Sequence, residues 1–255
     1  MFSGDYFNKL SELVEKAKAP NRHRARSAIN HIKKALLLKD IDPSMAVFRI
    51  ITAEEEAATG IILSIKSKRY QGAEKLNHRN HLHKNSLYPF LQAMKLIFIG
   101  TKDLPFKLAL SIETYEGKEI VRIRLTPLGE GAPQGYIYPI PPLNFVLGDE
   151  NKKPLSFEKQ FYQLASDKNF ESIKKYLESV ANQRNEILYA SDKGIPEVGP
   201  LSIDFITKRQ QRIGLLLSIY LMIDEYQEHQ SFVQNSLNGF LKMIDAIPRE
   251  LAERF

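Results

Sequence analysis

The chain contains no cysteine and no tryptophan among its 255 residues. Without cysteine it can form neither a disulfide nor a thiolate metal site, and a reducing compartment is its natural environment. Its longest apolar stretch, from Ile213 to Ile223, is about half as long as a membrane-spanning helix needs to be. The first residues include acidic side chains and lack the apolar segment of a signal peptide. We therefore expect a cytoplasmic protein without a membrane partner.

The motifs that mark common cofactors are lacking as well. The sequence has no phosphate-binding glycine loop, no dinucleotide fingerprint, no serine-hydrolase elbow and no H-E-x-x-H zinc motif. His78, His81 and His83 lie close together, but no carboxylate is spaced along the chain to complete a metal site with them. We therefore expect no metal and no other cofactor.

Basic residues outnumber acidic ones, 36 to 30, which gives a formal net charge of +6. A basic run, NRHRARSAINHIKK, occupies residues 21–34 of a helical segment. A positive balance attracts anionic partners such as RNA without sequence preference. The alternative is that lysine and arginine only solvate helix surfaces.

Apolar residues recur at helical spacing through most of the chain. We expect helices over about 5–17, 21–38, 42–70, 73–99, 156–189, 202–228 and 231–247. Between residues 107 and 126 the apolar period changes to two, which predicts an antiparallel hairpin that turns at Glu116-Gly117. A proline-rich loop follows at 127–142, with a short strand expected around Phe145. The predicted fold is mainly α, one helical-bundle domain over 1–255 with a β-hairpin and loop insertion at 106–147.

Three polar residues occupy the centres of apolar helix faces. Glu54 lies on the stripe of Val47 and Ile61, and His83, with Asn80 beside it, lies on the stripe of Leu87. Arg184 lies at the centre of the apolar face of the helix that ends at Tyr189. Because an unpaired buried charge costs several kcal/mol, we expect the three side chains to point inward and to find one another. They form either a structural ion-pair network or a functional pocket.

Three segments resemble AbiV-type abortive-infection proteins of the HEPN superfamily. They are SMAVFRIITAEEEAATGIILSIK, LNHRNHLHKNSLYPFL and QRNEILYASDKGIP. In HEPN ribonucleases an arginine is followed by a small polar residue and, about five positions after the arginine, by a histidine. Arg184-Asn185 matches the first half of this signature, and Tyr189 stands in the histidine position. The spacing itself recurs at Arg26 and His31, in an early helix.

The resemblance implies an all-α bundle, frequent dimerisation and metal-independent RNA cleavage with the ribose 2′-hydroxyl as nucleophile. In this interpretation Arg184 holds the phosphate, His83 carries the proton and Glu54 orients the imidazole. The substrate-binding residues would be Asn80, Lys84, Asn185 and Tyr189. A non-catalytic helical interaction module and a small-ligand binder remain the alternatives.

Overall fold

The computed structural model describes residues 4–18, 20–100, 106–128, 134–148, 153–154, 156–159, 171, 174–179, 187 and 198–248. Its named helices are α1 (Gly4–Lys16), α2 (Arg22–Leu38), α3 (Pro43–Ser67), α4 (His81–Gly100), α5 (Ile203–Asp224) and α6 (Ser231–Asp245). Its strands are β1 (Phe106–Tyr115) and β2 (Lys118–Pro127). The predicted fold class is confirmed, since a mainly helical body carries one small antiparallel sheet.

The centre of the bundle is α3, which packs against α2, α4 and α5. The helix begins at an aspartate N-cap, because Asp42 Oδ1 accepts from the Met45 N–H at 2.9 Å and Pro43 occupies the first turn. At Gly60 the backbone of α3 approaches α5 so closely that an added Cβ would lie 3.2 Å from the Tyr220 ring. Even a methyl group at position 60 would therefore require the Tyr220 ring to shift by a few tenths of an ångström.

The start of α4 differs from the sequence-based expectation of residue 73. Residues Ala73–Lys75 form a single 3₁₀ turn, and α4 begins only at His81. Two asparagines account for the delay, because each side chain accepts a backbone N–H that a longer helix would use. Asn77 Oδ1 accepts from Arg79 at 2.9 Å, and Asn80 Oδ1 accepts from His83 at 3.3 Å.

The hairpin forms as predicted. Strands β1 and β2 pair with Leu110 opposite Ile123, and the chain reverses at Glu116-Gly117. Both turn residues have positive φ, 48° and 75°, as a two-residue turn matched to the strand twist requires. Val121, Ile123 and Leu125 are buried in the core, so one face of the hairpin packs on the bundle.

The loop after the hairpin is hydrogen-bonded to the helical body through Gln230, which lies just before α6. This fully buried amide accepts from the Leu143 N–H at 2.7 Å and donates to the Met222 carbonyl at 2.8 Å. The prediction of a short strand around Phe145 is wrong, because residue 145 is not in a strand. Its ring stacks on Phe232 at 4.6 Å between centroids. Isolated antiparallel bridges form on either side of Phe145 instead, one between Leu125 and Ile137 and one between Gly148 and Pro154.

Most of the helix expected at 156–189 lies outside the described residues, although 157–159 and 174–179 are helical. Within the part of the chain that the structure describes, no helix combines the length and apolarity needed to cross a membrane.

Candidate functional site

Glu54 on α3 is buried and forms an ion pair with Arg209 on α5. Arg209 Nη1 donates to Glu54 Oε1 at 3.1 Å and to Oε2 at 3.2 Å, and both side chains are 10% exposed. The other side of the guanidinium lies 5.1 Å from the Phe205 ring centroid. The charge that the sequence places on an apolar face is thus neutralised across the α3–α5 contact.

The next residue, Glu55, faces α4 and contacts an imidazole and an ammonium group. His81 Nδ1 lies 2.8 Å from Glu55 Oε1, and Lys84 Nζ lies 3.0 Å from Oε2. Asn85 Nδ2 also donates to Oε1, at 3.4 Å. Because Lys84 and Asn85 follow His81 by three and four residues, all three lie on one face of α4. The carboxylate is 9% exposed and the imidazole 28%, so His81 is the member of this group that reaches solvent.

One turn further along the same face of α4, the Tyr88 ring contacts a second arginine of α5, Arg212. Arg212 lies over the Tyr88 ring at 4.4 Å and donates from Nη1 to the Tyr176 hydroxyl at 3.0 Å. Tyr176 also interacts electrostatically with Arg209, so it lies near both arginines. Among the described residues, no carboxylate lies within ion-pair distance of Arg212. We call Glu54, Glu55, His81, Lys84, Arg209, Arg212 and Tyr176 the charged cluster.

Burial and charge set the protonation states within the charged cluster. Burial alone would raise the pKa of Glu55, but the charge of Lys84 and the hydrogen bond from His81 outweigh it and hold this pKa below its usual value. Burial, reinforced by the negative charge of Glu54, raises the pKa of Tyr176 to about 12 despite the two arginines. At neutral pH Glu55 is therefore ionised, and Tyr176 is a neutral hydroxyl that can donate but cannot act as a base.

Of the residues predicted from sequence, Glu54 and Lys84 belong to the charged cluster, but His83 does not. His83 Nδ1 accepts from the Asn77 N–H at 3.3 Å, and the charges nearest its ring are Asp245 and Lys66. The structure therefore does not bring Glu54 and His83 together. The two residues lie on neighbouring helices, but His83 projects from the side of α4 that faces α6, whereas the side that faces Glu55 carries His81.

The remaining predicted residues have other roles or positions. Asn80 caps the first turn of α4, as the hydrogen bond to the His83 N–H shows. Arg184, Asn185 and Tyr189 lie outside the described residues, so their placement stays a prediction. Arg26 of the early Arg26–His31 spacing donates to the Ala17 carbonyl at 3.2 Å and to that of Glu15, and thus caps α1. His31 lies 3.4 Å from Arg49 Nη1.

Sequence reasoning missed Arg209, although the signal was present. Arg209 falls three residues after Ile206 and four before Ile213, both buried, so it occupies an apolar stripe just as Glu54 does. Glu55 and His81 gave no such signal, because each lies on the flank of its helix. Within the described ranges, no three His, Asp or Glu side chains are grouped to hold a metal ion.

The arrangement offers an imidazole held by a carboxylate and, against Tyr88 of the same helix, an arginine without a carboxylate partner among the described residues. Such a set can move a proton to or from a hydroxyl next to a phosphate. Comparisons of the chain with protein-family models, with curated proteins and with solved structures found no match.

Proposed function

We propose that this chain is a metal-independent ribonuclease of the HEPN-like kind that its sequence resembles, acting in abortive infection against phage. The observation that carries the proposal is the 2.8 Å contact between His81 Nδ1 and Glu55, with Lys84 on the same carboxylate. The contact joins Glu55, from the first of the segments that resemble the family, to His81 and Lys84, from the second. A carboxylate contact holds an imidazole in one orientation, and histidine is the side chain that most often transfers protons in enzymes.

In this proposal His81 takes the proton of a ribose 2′-hydroxyl, and the oxygen attacks the adjacent phosphorus. The bond from phosphorus to the 5′-oxygen breaks, and the leaving oxygen takes a proton from solvent. The products are a 2′,3′-cyclic phosphate and a 5′-hydroxyl end. Arg212 binds the phosphate through its planar fork, Lys84 adds charge, and Glu55 keeps the imidazole in one tautomer.

The sequence-based assignment of Arg184 to the phosphate is kept as part of the proposal. The proton-carrying role passes from His83 to His81, and the orienting role passes from Glu54 to Glu55. This reassignment can be tested on one helix, because His81 and His83 are two residues apart and face different neighbours.

The test compares cleavage of end-labelled RNA by the purified protein and its variants, with thermal melts run beside it. His81→Ala should lower the rate about 100- to 10,000-fold, the usual loss for a general acid–base group. The matched control, His83→Ala, should keep most of the activity. Arg212→Lys should restore little of what Arg212→Ala loses, because an ammonium cannot reproduce the bidentate fork. Chelation by EDTA should leave the rate unchanged.

A second candidate function is a non-catalytic helical interaction module in which the charged cluster is structural. It is favoured by the Glu54–Arg209 pair, whose side chains are only 10% exposed. In that case the variants lose activity only in proportion to unfolding, or the pure wild-type protein cleaves none of a varied set of RNAs. Either outcome would overturn the ribonuclease proposal.

A further inference from the structure

The outer face of the hairpin contains three buried polar atoms that lack a hydrogen-bond partner among the described residues. They are Ser111 Oγ, Arg122 Nε and Arg124 Nε. The strand register places Ser111 directly opposite Arg122, and Arg124 lies two residues further along the same strand. All three side chains therefore project from one face of the sheet, opposite the face that packs on the bundle. We call these three residues and the tyrosines around them the arginine face.

Tyrosine rings lie against the guanidinium groups, two at Arg122 and one at Arg124. Arg122 lies between Tyr115 and Tyr138, with 5.0 and 4.4 Å from its central carbon to the ring centroids. Arg124 lies over Tyr136 at 4.6 Å. The alternation of an extended segment explains this, because Ile137 pairs with Leu125 and so turns its two tyrosine neighbours toward the arginines. The N–H groups of each guanidinium lie in its plane, so stacking on a tyrosine does not supply them with a hydrogen-bond acceptor.

The two arginines form no ion pair within the described part of the chain, although Glu113 lies on the same face and accepts from the Tyr138 hydroxyl at 3.4 Å. No carboxylate there lies within ion-pair distance of Arg122 or Arg124, although Arg122 is only 7% exposed. Arg122 Nη2 has a single weak acceptor, the Tyr138 carbonyl at 3.4 Å. A buried donor without an acceptor destabilises the folded state, and two of the three donors here belong to arginine side chains. The missing partner is therefore an anion that can accept several in-plane hydrogen bonds, and phosphate has that geometry.

We propose that the arginine face binds single-stranded nucleic acid, with a backbone phosphate on the edge of Arg124 and a base stacked on Tyr136. Tyr136 is 56% exposed, so its ring can offer a side to a base while Arg124 lies against the other. A single strand is required because a base inside a duplex cannot reach the ring. The formal charge of +6 favours a polyanionic ligand over a neutral one. This site is distant in sequence from the charged cluster and shares with the proposed ribonuclease only the class of ligand.

The test measures binding of fluorescein-labelled single-stranded DNA and of fully 2′-O-methylated RNA by fluorescence anisotropy. Neither probe has the free 2′-hydroxyl that the proposed cleavage uses, so binding is measured whether or not the protein cuts RNA. Tyr136→Ala should weaken binding about 5- to 150-fold, the range for loss of one stacked base. Arg124→Gln should weaken it as well and lower the salt dependence by about one ion. A duplex of the same sequence should bind more weakly than the single strand.

Ile137→Ala is the matched control, since it removes an equally exposed apolar side chain, 54%, from the same segment but the opposite side of the sheet. It should leave the affinity unchanged. Thermal melts of all variants show whether a loss of binding merely reflects unfolding. Wild-type protein that binds neither probe, or variants Arg124→Gln and Tyr136→Ala that bind like wild type, would overturn the proposal. Because neither probe can be cleaved by the proposed reaction, failure of cleavage and failure of binding remain distinguishable.

Discussion

At the scale of single residues, the pattern of apolar stripes identifies which charges are buried but not which charges pair. Glu54 lies at the centre of its stripe and is 8% exposed, in agreement with its position in the sequence. Its partner, Arg209, is 155 residues away in the chain. The same stripe criterion applies to Arg209, yet no local rule could rank it above His83 or Arg184 as the partner. Partner choice depends on how α3 and α5 are rotated against each other.

Breaking this pair should be costly. Arg209→Ala strands a buried carboxylate and should lower the free energy of unfolding by roughly 3–5 kcal/mol, measured by urea denaturation. The double variant Glu54→Leu with Arg209→Leu should recover most of that loss, because an apolar pair requires no charge compensation.

The control for this cycle is Arg24→Ala. Arg24 of α2 pairs with Glu56 of α3 at 3.2 Å, but its side chain is 48% exposed. Its removal should cost no more than about 1 kcal/mol. Similar losses for Arg209→Ala and Arg24→Ala would contradict the view that burial makes the Glu54–Arg209 pair important.

At the scale of elements, local chemistry decides where helices and strands begin and end. The hairpin was predictable because period-two patterning and a Glu-Gly turn agree with each other. The start of α4 was not, because Leu76 continues the apolar stripe while Asn77 and Asn80 capture backbone N–H groups. Where side-chain capping and apolar periodicity conflict, capping determines the boundary.

The turn itself can be tested at Gly117, where φ is +75° and an added Cβ would meet nothing within 4 Å. Gly117→Ala should destabilise the protein by about 1–2 kcal/mol, entirely through the backbone, because a Cβ disfavours this conformation. Gly199→Ala is the matched control, since its surroundings are equally open and its φ lies outside the left-handed range. A thermal melt that shows equal shifts for both variants would show that the positive φ is not the cause.

At the scale of the whole molecule, the unfolding free energy should depend on pH through His83. Burial, the largest effect, lowers the pKa of His83 below its usual 6.5 despite the opposing charge of Asp245. The unfolded chain therefore takes up the proton first as pH falls. The stability contributed by neutral His83 is complete above pH 6.5 and is lost between that value and the lower folded pKa.

His83→Gln should accordingly flatten the fall in stability below pH 6.5, by at most about 1.4 kcal/mol per pH unit. His31, whose pKa burial also lowers, will leave a residual slope. Urea denaturation on both sides of this value measures the effect. His23→Gln, at an exposed position of α2, should reproduce the wild-type slope. An unchanged slope in His83→Gln would mean that this histidine is not held neutral by the fold.

The sequence by itself determined the helical class, the hairpin and its turn, and the burial of Glu54, because each follows from periodicity or turn chemistry within a few residues. Only the tertiary structure decided that Glu54 pairs with Arg209, that Glu55 and not Glu54 holds a histidine, and that this histidine is His81. It also decided that Tyr136 and Tyr138 stack on the hairpin arginines. These choices depend on the relative rotation of distant elements, which arises from packing between faces and leaves no mark on the spacing of residues within either one.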